Sequence, residues 1–196
     1  TFLNLTRTLN NKVVGIIGGG NIGRQVAARV QAFGSIVQYY DPFRLPEEME
    51  EKLHMKYVGL EELIRTSDVI TLHVPLMDST RHMIGEKEIE KMKNGAILIN
   101  VARGGLMDDE AVVKAVNSGK LSGAGIDCVE EEPAKPGNPI LENPNIIVTP
   151  HVGGGSADIS DVMFPMITGN IELLAIGKEL KYVVNKQYLE GNNKKL

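Results

Sequence analysis

A short β-branched run meets a glycine cluster near the start of the chain: Val13-Val14-Gly15-Ile16-Ile17-Gly18-Gly19-Gly20-Asn21-Ile22-Gly23-Arg24. Gly18, Gly20 and Gly23 fit G-x-G-x-x-G. That spacing alone is weak, because glycine-rich turns are common, but here a strand pattern precedes it and a helix pattern opens at its end. Gly18 permits a tight turn, Gly20 lets backbone approach a pyrophosphate, and Gly23 lets the helix pack closely on the strand. Asn21 and Ile22 open the helix, whose free N–H groups and dipole favour phosphate. Ile22, Val26, Val30 and Phe33 share one helical face, the face expected to pack inward, and Gly34 follows as a stop.

The same alternation continues. Strand patterns are read at Val13–Ile17, Ile36–Tyr40, Val69–Leu72, Ala96–Asn100, Gly123–Asp127 and Ile146–Thr149, each short and mostly apolar, as for strands covered on both faces. Helix patterns fall between them at Ile22–Phe33, Gly59–Thr66, Glu86–Lys91 and Asp108–Val116, with a longer one at Ala157–Ile176 before Gly177. Strand, helix, strand in repetition predicts right-handed crossovers, hence an α/β fold: a Rossmann-type doubly wound parallel sheet with helices on both faces. One domain is expected over residues 11–178, with a connecting segment at 1–10 and a tail at 179–196.

Asp41 ends the second strand pattern, 18 positions past Gly23 (41 − 23). This is close to the ~20 expected of the acid that binds the adenosine ribose hydroxyls. Such a carboxylate repels a 2′-phosphate, so the expected cofactor is NAD rather than NADP. A turn aspartate ahead of Pro42 is the bland alternative. Arg44 nearby reads as a solvated surface arginine.

Composition excludes other classes. The 196 residues carry a net charge of −4, which argues against a broad nucleic-acid-binding surface. No apolar run reaches the ~18 residues of a membrane span. A single cysteine, Cys128, rules out an internal disulfide framework and fits a cytoplasmic setting. It reads as a small buried hydrophobe. No metal ligand set is assigned.

Three further segments end strands on what should be one sheet edge: Asn100-Val101-Ala102-Arg103-Gly104, Asp127 through Glu132-Pro133, and Thr149-Pro150-His151-Val152-Gly153-Gly154. In open α/β sheets that edge binds ligands. With His73-Val74-Pro75-Leu76 and Thr80, these segments resemble the D-isomer-specific 2-hydroxyacid dehydrogenases from about Leu9 to Asn185. The resemblance implies a hydride transfer between NAD(H) and a D-2-hydroxy acid or 2-keto acid. It implies Arg103 for the substrate carboxylate, His151 as acid/base, and Glu132 as its partner. Glu132 is chosen from Glu130-Glu131-Glu132 only through its adjacency to Pro133. The cofactor contacts implied are Gly18, Gly20, Asn21, Ile22, Gly23, Asp41, His73, Val74, Pro75, Thr80, Val101, Ala102, Arg103, Asp127, His151, Gly153 and Gly154.

The chemistry is sound for these residue types. Arginine's planar fork suits a carboxylate. Histidine titrates near neutrality, and a carboxylate on its other nitrogen favours the imidazolium. Taken singly, the arginine could be a loop staple and the histidine a satisfied structural one. The alternative is a corepressor-like, NAD-regulated binding module of the same fold. Family members carry a second, substrate domain, which the resemblance implies is absent here, the tail at 179–196 returning towards it. A homodimer is the expected assembly.

Overall fold

A computed structural model describes residues 7–183. Readings that fall on 1–6 and 184–196, parts of the connecting segment and of the tail, lie outside the described residues. The chain divides into two compact units, Thr1–Gly153 and Gly154–Leu196.

The first unit is built on seven parallel strands in the order β3-β2-β1-β4-β5-β6-β7: β1 Val13–Ile17, β2 Ile36–Tyr40, β3 Met55–Tyr57, β4 Val69–Leu72, β5 Ala96–Asn100, β6 Leu121–Ile126 and β7 Ile146–Val148. The helices are α1 Asn21–Ala32, α2 Glu47–Leu53, α3 Leu60–Thr66, α4 Glu86–Lys91, α5 Asp109–Asn117 and α6 Pro139–Glu142. Strand order reverses between β1 and β4, and a crevice at that switch point is where such sheets take ligands. Every strand is parallel to its neighbours, so the loops after β1, β4, β5, β6 and β7 share one edge.

Alternation along the strands makes two cores. Ile16 packs on one face with Val14, Ala27, Val37 and Tyr39. Ile17, the next residue, packs on the other with Ile70, Leu72, Leu98 and Val112. A period of two sends consecutive side chains to opposite faces, and helices cover both.

Helix α1 keeps only half of the expected face: Val26 and Val30 pack against the core, but Ile22 and Phe33 do not. Its buried residues are Gly23 and Ala27, while Ile22 and Phe33 are 66% and 68% exposed. The reason is close packing. A β-carbon at position 23 would lie 2.0 Å from the Gly18 carbonyl oxygen, so the helix meets the strand through its smallest side chains.

The segment from Pro42 to Val58 also differs from expectation, since it holds α2 and edge strand β3. Glu50 in α2 is buried, which a charged residue tolerates only when paired. Arg44 supplies the pair, donating from Nε and Nη2 to the two Glu50 oxygens at 2.9 and 2.8 Å, and Tyr39 donates its hydroxyl to Glu50 Oε1. Arg44 is therefore tied down, not merely solvated. It also lies 5.1 Å over the Tyr57 ring.

The second unit holds α7, Ile159–Ala175, none of whose residues is buried. Gly177 follows at φ 67°, the left-handed stop expected there. Asn170 braces the next turn, accepting from Lys181 N–H at 2.8 Å and donating to the Lys181 carbonyl at 2.7 Å. Among the described residues no helix is long and apolar enough to cross a membrane.

Candidate active site

The glycine turn leaves β1 at Gly18, φ 109°, where a β-carbon would strike the His73 carbonyl oxygen at 2.5 Å. Only glycine adopts that conformation readily. Gly20 is the opposite case. A β-carbon there would meet nothing within 4 Å, so its bareness keeps open the space in front of the α1 N-terminus. Asp41 stands over the same turn. Its Oδ2 accepts from Gly19 N–H and its Oδ1 from Phe43 N–H, both at 2.8 Å. Each oxygen keeps a further lone pair for a ribose hydroxyl.

A cavity of about 550 Å³ opens beside this turn, lined by Ile22, His73, Val74, Pro75, Leu76, Val101, Ala102 and Arg103. All but Leu76 are residues the sequence points to for the cofactor. His73 is fixed by its N–H to the Ile17 carbonyl at 2.7 Å and by a ring contact to Thr71 at 3.0 Å. Burial pushes its pKa below the ordinary value, favouring the neutral ring. Thr80 closes the following turn, donating to the Pro75 carbonyl at 2.7 Å and accepting from Met77 N–H at 2.8 Å. Asn21, exposed at the start of α1, accepts from Arg24.

Arg103 follows β5 and is exposed. Asn100, which the sequence reading left without a role, organises its turn. The buried Asn100 side chain donates to the Arg103 carbonyl at 2.8 Å and accepts from Ala102 N–H at 3.1 Å. Its signal was an asparagine at a strand end, the residue type that bonds backbone two or three positions on.

Asp127, after β6, is buried and spends its carboxylate on the loop after β7. The Thr149 hydroxyl and Val152 N–H donate to Oδ1, and Gly153 N–H donates to Oδ2 at 2.8 Å. Burial raises its pKa, but those three hydrogen bonds outweigh burial and hold it below the ordinary range. The loop so held presents His151 at φ 53°, with its N–H bonded to the Asp127 and Thr149 carbonyls at 2.9 and 3.0 Å. A non-glycine residue in that region is strained by roughly 1 kcal/mol or more, and such strain clusters at functional sites.

His151 Nδ1 donates to Glu132 Oε2 at 2.8 Å. The other two glutamates are taken elsewhere: Glu130 pairs with His82 and Arg81, and Glu131 with Lys135. Of the three, Glu132 is the one hydrogen-bonded to His151. A cavity of about 570 Å³ adjoins the pair, lined among others by Asp127, Glu132, Pro133, Leu141, Thr149 and His151. Arg103, Glu132 and His151 lie in the loops that follow neighbouring strands β5, β6 and β7, on one edge of the sheet. Gly154, the last cofactor residue expected from sequence, is the first residue of the second unit.

Residues 3–153 match the family described as D-isomer specific 2-hydroxyacid dehydrogenase, NAD binding domain. The chain belongs to this family and carries its NAD-binding domain. Among relatives of this 2-hydroxyacid dehydrogenase domain is a glyoxylate reductase of Korarchaeum cryptofilum, 38% identical over 179 residues, covering 91% of this chain and 54% of the relative. Among solved structures, a glyoxylate reductase from Paecilomyes thermophila superposes with a TM-score of 0.84 at 40% identity, covering 92% of this chain and 54% of that one. A D-lactate dehydrogenase with NAD+ from Lactobacillus jensenii gives 0.84 at 33% identity, over 92% and 57%. The chain spans about half the length of the curated relatives it matches. The residues present fit the dinucleotide: open space at Gly20, a carboxylate at the end of β2, and an apolar crevice between them and Arg103.

Proposed function

We propose that this domain is the cofactor half of an enzyme that interconverts a D-2-hydroxy acid and its 2-keto acid. The observation that carries this reading is the His151–Glu132 hydrogen bond on the sheet edge that also holds the cofactor turn. NADH supplies the hydride. The protein's part is to bind, orient and move one proton. Arg103 pairs its guanidinium with the substrate carboxylate, which both glyoxylate and lactate, the acids named for the relatives, possess. With Nδ1 engaged by Glu132, His151 has Nε2 available to give a proton to the carbonyl oxygen. Glu132 stabilises the imidazolium that must exist before that transfer. The cofactor contacts proposed are those of the glycine turn, Asp41, the His73–Pro75 crevice with Thr80, Val101–Arg103, and Asp127, His151, Gly153 and Gly154. We further propose that the protein acts in the cytoplasm as a homodimer, which sedimentation of the longer protein tests.

The test of function uses the longer protein that contains this chain, assayed with NADH against 2-keto acids of increasing size. His151→Asn should lower kcat by about 10²-fold or more while NADH binding persists. Arg103→Gln should act mainly on KM. A His151→Asn enzyme with wild-type kcat would overturn the assignment. A longer protein that binds NADH yet reduces no 2-keto acid would favour the NAD-regulated module instead.

A further inference from the structure

The thiol of Cys128 lies beside the acid–base pair without serving it. Its sulfur, one Glu132 carboxylate oxygen and one His151 ring nitrogen all lie within 4.8 Å of one another. We infer that these three side chains form a binding site for a borderline-soft divalent cation, Zn²⁺ above all, and that the bound ion occupies the groups the acid–base pair needs.

The donor chemistry selects the metal. Thiolate, imidazole and carboxylate together suit Zn²⁺, which takes them at roughly 2.0–2.3 Å in a tetrahedron, so bound donor atoms end ~3.5 Å apart. The present spacing needs a contraction of about an ångström. The residues able to supply it are the half-exposed ones, since the Glu132 and His151 side chains are 38% and 46% accessible. Cys128 is the fixed donor, buried, with its sulfur 3.5 Å from the Ala102 carbonyl oxygen. The cavity lined by Glu132 and His151 gives a hydrated ion a route in and leaves room for a water as fourth ligand.

Electrostatics act both ways on the site. Burial, then the charges of Glu132 and Asp127, push the Cys128 thiol up, while Arg103 opposes them. This favours the thiol over the thiolate in the free chain, a proton that metal binding must displace. The Glu132 and Asp127 carboxylates, which add to burial in favouring the thiol, also attract a dication. On binding, the thiol proton leaves to solvent, and the Nδ1 proton of His151 moves to Nε2 if Nδ1 becomes the ligand. No oxidation occurs. The site needs no substrate and stands whether or not the dehydrogenase reading holds. Loss of activity on binding rests on that reading.

The chain has one cysteine, which makes the test specific. Titration with Co²⁺ should raise a near-ultraviolet thiolate-to-cobalt charge-transfer band at one equivalent, and Zn²⁺ should displace it. Cys128→Ser and Cys128→Ala should both lose the band and weaken Zn²⁺ binding about tenfold or more. NADH titrated calorimetrically into metal-free samples should bind alike in all three proteins, so failure of the cofactor reading would show separately. Absence of the charge-transfer band, or unchanged Zn²⁺ affinity in both variants, would overturn the site. Binding of Zn²⁺ through other histidines and glutamates gives that same contrary result.

Discussion

Gly20 and Gly23, three residues apart in sequence, separate cofactor binding from packing. At Gly23 a β-carbon would sit 2.0 Å from the Gly18 carbonyl oxygen, a backbone atom that moves only if the turn or α1 moves. Gly23→Ala should therefore destabilise by roughly 2–3 kcal/mol, in the overpacking range. For a unit of this size that is a Tm fall of about 5–10 °C. At Gly20 the added methyl meets nothing within 4 Å, and the backbone, φ −69° and ψ −169°, is extended and open to alanine. Less freedom in the unfolded chain favours alanine there by about 0.4–1 kcal/mol. The weaker helix capping of alanine offsets this gain. Gly20→Ala should thus keep Tm within about 2 °C. Yet its methyl occupies the space a pyrophosphate needs, so NADH affinity should fall tenfold or more, about 1.4 kcal/mol. Scanning calorimetry and NADH titration of the two variants give four numbers. An unchanged Tm in Gly23→Ala would remove the packing argument. Wild-type NADH affinity in Gly20→Ala would mean the dinucleotide does not lie on this turn.

Three further outcomes are expected. Glu50→Gln frees Arg44 from the pair that pushes Glu50 down to about 2, so NADPH should gain a few-fold in affinity relative to NADH, and adding Arg44→Ala should remove the gain. Asp127→Asn removes an acceptor from the His151 loop and should destabilise by about 1–3 kcal/mol; because the folded pKa is depressed, the wild-type contribution is complete above about 3.9 and is lost as pH falls below that, which Tm measured against pH reports. Asp109 is shifted the other way, up to about 6 chiefly by burial, and its Oδ1 is buried without a partner. The folded state then holds that proton more tightly, so stability falls as pH rises from about 4 to 6, and Asp109→Asn should flatten this slope and raise Tm by a few degrees at neutral pH.

How much of this was readable in the sequence depended on whether the signal was local. Strands β1, β2, β4 and β5 stand where their apolar runs placed them, because strands buried on both faces are written as such runs. On α1, periodicity places Val26 and Val30 inward correctly but also ranks the large apolar Ile22 and Phe33, which stay exposed. The closest approach to the sheet is through the buried Gly23 and Ala27, a preference for small residues that hydrophobic patterning does not express. Helix α2 and β3 were missed because burial of Glu50 depends on Arg44 and Tyr39, contacts no window of sequence shows. At the site, Arg103, Glu132 and His151 were named by resemblance. The residues alone left three glutamates equivalent, and only the fold gives each its own partner. Asn100 escaped for the same reason: its value lies in the turn it holds, not in chemistry of its own.

The most direct test is a calorimetric titration of this chain with NADH and then NADPH in one buffer, repeated with Asp41→Ala. NADH should bind at least tenfold tighter than NADPH to the wild type, and Asp41→Ala should erase most of that preference. No binding of either nucleotide, or tighter binding of NADPH, would contradict the placement of the dinucleotide on the Gly18–Gly23 turn under Asp41.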